Sequence, residues 1–260
     1  MRTEGFRTYQ KNGQFMIDFV MPDEVKGSLF VSVYCRGSLN DSACGDPAKM
    51  WGYLSYNFNN INLVAPHQVH GTKVIPADSR YSLPLRPEAD GVLISETADC
   101  FASLRFADCV PVAVAGAYPK PWLLLLHSGF AGTVENFVGK GLSDVLQNFA
   151  IDSHENVWAW IGPGICGECY SRKRADPLTA RALNTFSVKN IYEDDKELIH
   201  FDIRSQIKEQ VEASGVPAGR VYAYDGCTCC NHDIFYSYRA GDVNNRLFLL
   251  GGMPQNKLVE

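Results

Sequence analysis

The sequence predicts an α+β fold: a layered, mixed α/β arrangement with mixed β-sheets flanked by helices, in a single domain spanning residues 1–260. Three observations lead there. Apolar strand-like runs follow one another at 91–95, 101–106, 110–115 and 122–126, separated by short turns. After the last of them, Val134, Phe137, Val138, Leu142, Val145, Leu146 and Phe149 recur at the helical period that buries one face. Strands and helices then mix without regular alternation, the early part being β-rich, and no Gly/Ser run, block of like charge or repeat marks a linker.

Taken in order, 15–20 and 28–35 read as strands, rich in β-branched and aromatic residues and bounded by Pro22 and Gly37. Asp46-Pro47 reads as an N-cap followed by proline at the first helical position, opening a helix that runs to about Phe58. Residues 63–75 predict a strand broken by Pro66 and Gly71. The helix after 122–126 would be capped by Thr133 or Gly132, placing its positive end near His127, where an anion or polar ligand edge would be welcome. Further on come a strand at 157–161, a helix opened by Asp176-Pro177 toward Phe186, and a helix capped by Asp202 and stopped by Gly215. Strands at 220–224, 234–238 and 247–250 close the chain.

Composition excludes some functions. With 46% hydrophobic and 20% charged residues the chain is an ordinary globular one, and its net charge of -5 argues against a nucleic-acid or anionic-membrane surface. The first residues lack an apolar signal core and no apolar run is long enough to span a bilayer, so the reading is cytoplasmic. Nine cysteines, an odd number, point to reduced thiols and metal chemistry rather than a disulfide framework.

Three residues carry the candidate chemistry. His70, Cys109 and His127 each sit at the edge of a predicted strand beside a turn. Two imidazoles and one thiolate suit Zn²⁺, and a catalytic zinc keeps three protein ligands with a fourth position open. Spacings of 39 and 18 residues are not a local finger pattern, so only the fold could join them. A buried thiol and two hydrogen-bonded histidines are the plainer alternative.

Four ordered motifs add to this. His67-Gln68-Val69-His70-Gly71-Thr72, Ala107-Asp108-Cys109-Val110-Pro111-Val112, His127-Ser128-Gly129-Phe130-Ala131-Gly132-Thr133 and Ile161-Gly162-Pro163-Gly164-Ile165 resemble the successive signatures of the YfiH/YlmD family, also called the laccase-domain or multicopper polyphenol oxidoreductase family. Cys227-Thr228 and Phe235-Tyr236-Ser237-Tyr238-Arg239, with Arg246, resemble its C-terminal signature, so the likeness covers roughly 60–250. The resemblance implies a zinc-dependent purine nucleoside enzyme, with adenosine deaminase and purine nucleoside phosphorylase activities and small-molecule partners, a purine nucleoside and phosphate. It implies His70, Cys109 and His127 as metal ligands and catalytic residues. Asp108 would orient a ligand or shuttle a proton, with a turn or capping role as its alternative, and Gln68, Arg36, Gly129, Phe130 and Gly132 would lie on the substrate side. Zinc is the expected cofactor; copper is disfavoured, because six histidines cannot furnish a multicopper centre.

The chain also departs from that pattern. Ala131 stands where the family has an arginine, and losing a bidentate donor to a charged ligand costs on the order of 1.5–3 kcal/mol, which weighs against phosphorolysis. Arg36-Gly37-Ser38-Leu39-Asn40 is a shortened form of an N-terminal loop, and Tyr170-Ser171 lacks the usual acidic residue. Two alternatives follow: a metal-free cysteine hydrolase with Cys109 as nucleophile and His127 as base, acting on cell-wall precursors, and a catalytically weakened scaffold. The pairs Cys166/Cys169 and Cys227/Cys230 invite a four-cysteine zinc site, but 57 residues separate them, far more than a ribbon spacing, and neighbouring thiols are the plainer reading.

Overall fold

The computed structural model describes residues 2–149, 151, 154–193 and 197–254. Two sheets lie face to face. The seven-stranded sheet runs in the order Arg2–Thr3, Phe6–Lys11, Gln14–Phe19, Phe30–Tyr34, Leu247–Gly252, Cys100–Phe106, Asn62–Val64. The six-stranded sheet runs Val221–Ala223, Val157–Ile161, Val110–Gly116, Trp122–Ser128, Gly91–Ile94, Val74–Pro76.

Strand alternation sorts the side chains into layers. Leu123 and Leu125 point into a core shared with Trp158 and Trp160 of their own sheet and Val31, Val33, Leu104 and Leu249 of the other. Leu124 and Leu126 point the opposite way, onto Phe137 and Leu142 of helix Phe137–Asn148 and Ile207 and Val211 of helix Ile203–Ala213. On the far side of the seven-stranded sheet, Phe101, Phe248 and Leu250 pack on Met50, Trp51 and Leu54 of helix Pro47–Leu54. Helix, sheet, sheet and helices therefore stack in that order, and strand Trp122–Ser128 is buried at every position because it is covered on both faces.

The helix starts follow from their caps. Asp46 accepts from the N–H groups of Ala48 and Lys49, Asp176 from those of Leu178 and Thr179, and Asp202 from that of Ser205. Each satisfies donors that the first helical turn leaves open.

Three expectations are corrected. Residues 63–75 are strand only at Asn62–Val64 and Val74–Pro76; between them the N–H groups of Val69, His70 and Gly71 bond the Asp90 carboxylate instead of a neighbouring strand. The helix after His127 begins at Phe130, with Gly129 rather than Gly132 or Thr133 at its N-cap, and ends at Val134; a left-handed Asn136 separates it from Phe137–Asn148. Residues 234–238 form no strand, since Arg36 caps the Phe235 carbonyl and Asp242 takes the Ser237 N–H. A three-stranded sheet, Ser171–Lys173, Leu198–Phe201 and Ile191–Glu193 with Leu198–Phe201 central, was not expected.

Candidate metal centre

Two adjacent antiparallel strands end at the same rim of the six-stranded sheet. His127 pairs with Pro111 and Ser128 with Val110, so Cys109, one residue before its strand starts, lies beside His127 at that rim. His70 comes from the loop folded around Asp90 and has a left-handed backbone, φ 58°. Potential ligand atoms of His70, Cys109 and His127 lie within 4.8 Å of one another, and the two imidazole centroids are 5.1 Å apart. His127 is buried, Cys109 half-buried and His70 exposed, so the trio opens outward on one side.

Asp90 organises this trio, and nothing in its local sequence announces it. The carboxylate is wholly buried. It accepts the N–H groups of Val69 at 3.1 Å, His70 at 3.0 Å and Gly71 at 2.8 Å, and contacts His127 Nδ1 at 2.8 Å. Burial alone would raise its pKa, yet the bonds to His127 and to these N–H groups hold it below the ordinary carboxylate value. An ionised carboxylate only accepts, so His127 Nδ1 carries the proton and Nε2 keeps its lone pair. A histidine oriented in this way by a carboxylate is the usual arrangement at a metal ligand.

Gly129 supplies the second test of fit. A Cβ there would come within 2.5 Å of Cys109 Sγ and 3.4 Å of the His70 ring, so the missing side chain clears the space over the sulfur. Gly129→Ala is expected to push Cys109 out of the cluster and weaken metal retention; dialysis against a competing chelator, followed by metal analysis, measures this, and undiminished retention would refute it.

Burial, with added repulsion from Asp108 and Asp90, pushes the Cys109 thiol up to about 12, and burial lowers the His127 pKa against the pull of Asp90. A neutral thiol beside a neutral imidazole lacks the electropositive setting of reactive cysteines.

A cleft of about 240 Å³ adjoins the trio, lined by His70, Asp108, Cys109, Phe130, Ala131, Ile165, Tyr170, Arg172, Leu178 and Ile203. Phe130 and Tyr170 face each other with centroids 5.4 Å apart. The Arg172 guanidinium lies 4.7 Å from the Phe130 centroid and pairs with Asp176 at 2.6 Å. A larger hollow of about 480 Å³ includes Arg172 and Asp176 but none of the trio.

The remaining sequence-predicted residues divide. Asp108 lies in the cleft wall with both oxygens engaged, accepting from Thr228 Oγ1 at 2.8 Å and the Arg239 N–H at 2.7 Å, at a left-handed φ of 83°. Gln68 exchanges bonds with the Arg105 backbone, and Arg36 is bound to Asp242 and the Phe235 carbonyl, so neither joins the cleft lining. Gly132 has only ordinary packing neighbours, Phe137 and Ser128. Asp90, beside His127, and Arg172, in the cleft lining, had no part in the sequence reading, and Tyr170 entered it only through its motif and not as a wall of the cleft.

A protein-family profile described as multi-copper polyphenol oxidoreductase laccase matches residues 51–248. The chain belongs to this family. Among curated members, an adenosine deaminase called RL5, from an unknown prokaryotic organism, is 24% identical over 192 residues, covering 71% of this chain and 72% of its own. A purine nucleoside phosphorylase of Bacteroides thetaiotaomicron is 29% identical over 202 residues, covering 74% and 73%. The crystal structure of YlmD from Geobacillus stearothermophilus shares the laccase-family fold with a TM-score of 0.79 at 20% identity, over 96% of this chain and 99% of that one. The YfiH protein of Bacillus licheniformis superposes with a TM-score of 0.77 at 18% identity, covering 95% and 98%. Among the described residues no helix is long and apolar enough to cross a membrane.

Proposed function

We propose that this protein is a zinc-dependent purine nucleoside enzyme that deaminates adenosine, phosphorolyses purine nucleosides, or both, at the His70–Cys109–His127 centre. One observation carries the reading: two imidazoles and one thiol converge within 4.8 Å at the end of an aromatic-walled cleft, with His127 fixed by the buried Asp90. The names of the relatives supply the substrate class.

Despite the copper in the family's description, one sulfur and two nitrogens are a zinc-like donor set, and His70, Cys109 and His127 would hold the ion with three protein ligands, His70 being the exposed one. Bound there, zinc supplies Lewis-acid activation of water or of a ligand oxygen at neutral pH. The chain's own groups do the rest. Asp90 keeps the proton on His127 Nδ1 and holds the ring in place. Phe130 and Tyr170, packed against each other, give the cleft an apolar wall against which a purine would lie and which helps exclude water. Asp108, bonded to Thr228 and Arg239, braces the wall. The nine cysteines form no disulfide, in keeping with a reducing, cytoplasmic setting.

Ala131 lines the cleft where the family's arginine would stand, but Arg172 lines it too. Held over Phe130 and paired with Asp176, Arg172 is the guanidinium this lining offers to a phosphate, which would have to share it with that carboxylate. Arg172→Ala is expected to raise the KM for phosphate by ~10-fold to 100-fold, with Arg172→Lys less affected and adenosine deamination little changed. Steady-state assays with and without phosphate give the answer, and an unaltered phosphate KM would remove Arg172 from this role.

The test of the whole reading is incubation of the purified, metal-assayed protein with adenosine, following inosine in the absence of phosphate and free base in its presence. Metal-loaded protein that forms neither product would overturn it.

A further inference from the structure

We propose a second metal site, a closed zinc centre formed by the four thiolates of Cys166, Cys169, Cys227 and Cys230. Their sulfurs lie within 4.8 Å of one another, with Cys169 Sγ 3.4 Å and Cys166 Sγ 4.0 Å from Cys230 Sγ. Tetrahedral zinc with Zn–S bonds near 2.3 Å sets its sulfurs about 3.8 Å apart, between those two distances.

The sheet brings together what 57 residues of sequence keep apart. Strands Val157–Ile161 and Val221–Ala223 pair in parallel, Ala159 with Val221 and Ile161 with Ala223, so the loops leaving their ends emerge side by side. Gly164 then bridges Cys227, and the Thr228 N–H reaches the Gly164 carbonyl. Each Cys-x-x-Cys is a tight turn: the Tyr170 N–H bonds the Cys166 carbonyl, and the Cys230 N–H points at Cys227 Sγ, 3.4 Å away. The Cys166 N–H donates to the same sulfur at 3.2 Å. Two amide donors on one sulfur fit a thiolate better than a neutral thiol, and four cysteine sulfurs this close together are a soft donor set that suits zinc and would fill its four positions, leaving none for a substrate.

The site has a defined structural task. Between the two turns and the candidate active centre lie Tyr170, which walls the cleft, and Thr228, which holds Asp108. The Ile165 N–H also bonds the Asp108 carbonyl. Cross-linking the two loops through one ion fixes that wall where residues 162–170 and 224–230 have no strand of their own.

Elemental analysis of the full-length protein, purified without chelator, is the test. Two zinc ions per chain are expected, falling to one in Cys166→Ser/Cys230→Ser and to one, at the other centre, in His70→Ala/Cys109→Ala. Zinc-edge absorption of the latter variant should show an all-sulfur shell near ~2.3 Å. In the wild type, all four cysteines should resist alkylation until a strong chelator is added, a measurement that needs no cysteine variant to fold. Iron in place of zinc, a Cys169–Cys230 disulfide found by peptide mapping, or free alkylation without chelator would overturn the assignment. One zinc lost in Cys166→Ser/Cys230→Ser but retained in His70→Ala/Cys109→Ala would support this site while sinking the catalytic one.

Discussion

Asp90→Ala is expected to destabilise the protein by about 3–5 kcal/mol and to weaken metal binding by ~10-fold to 100-fold. The size follows from the number of groups abandoned. Three backbone N–H groups and the His127 imidazole share this one buried carboxylate, and a buried donor left without an acceptor costs on the order of 1–3 kcal/mol. Asp90→Asn keeps one acceptor oxygen and should fall between. The pH dependence has a definite sign. Because the native pKa lies below the unfolded one, the carboxylate's contribution is complete above the unfolded value and is lost as pH falls through the native value. Urea melts from neutral to acidic pH should therefore show a flatter acid limb in Asp90→Asn than in the wild type, and equal slopes would place the acid sensitivity elsewhere.

Cys109→Ala should abolish nucleoside turnover, by ~10³-fold or more, together with one equivalent of bound zinc. Thermal stability of the metal-free forms should barely change, since a small, half-buried side chain is lost. Measuring metal and activity on the same preparation separates the two chemistries open to this residue. Zinc and activity lost together mark a ligand. Activity lost with zinc fully retained would mark a nucleophile and restore the cysteine-hydrolase alternative.

Local chemistry made much of the fold readable. The caps at Asp46, Asp176 and Asp202 sit where the sequence places them, because N-capping depends on residues two or three positions away. The run 122–126 is a strand buried on both faces, as its unbroken apolar character suggests. One local signal was there to be used: Asn12-Gly13, both left-handed, turns the hairpin joining Phe6–Lys11 to Gln14–Phe19. Their motifs singled out His70, Cys109 and His127, and the structure brings their potential ligand atoms within 4.8 Å of one another. Asp90 was not singled out, because its partners lie 19 to 37 residues away and an Asp before a Gly reads as a turn. Arg172 escaped for a similar reason: only the small sheet containing Ser171–Lys173 turns it toward Phe130. The loop at 63–75 misled because a side chain, rather than a neighbouring strand, collects its amides.

Strand Leu247–Gly252 lies in the interior of the seven-stranded sheet, antiparallel to both Phe30–Tyr34 and Cys100–Phe106. On the ribosome, these two neighbours are made more than a hundred residues before the strand that joins them. The early hairpins can form as they emerge, but the sheet stays split, its two inner edges unpaired, until the last of these segments clears the exit tunnel. The nascent chain must therefore carry exposed pairing edges through most of its synthesis, when association with other chains is the main hazard.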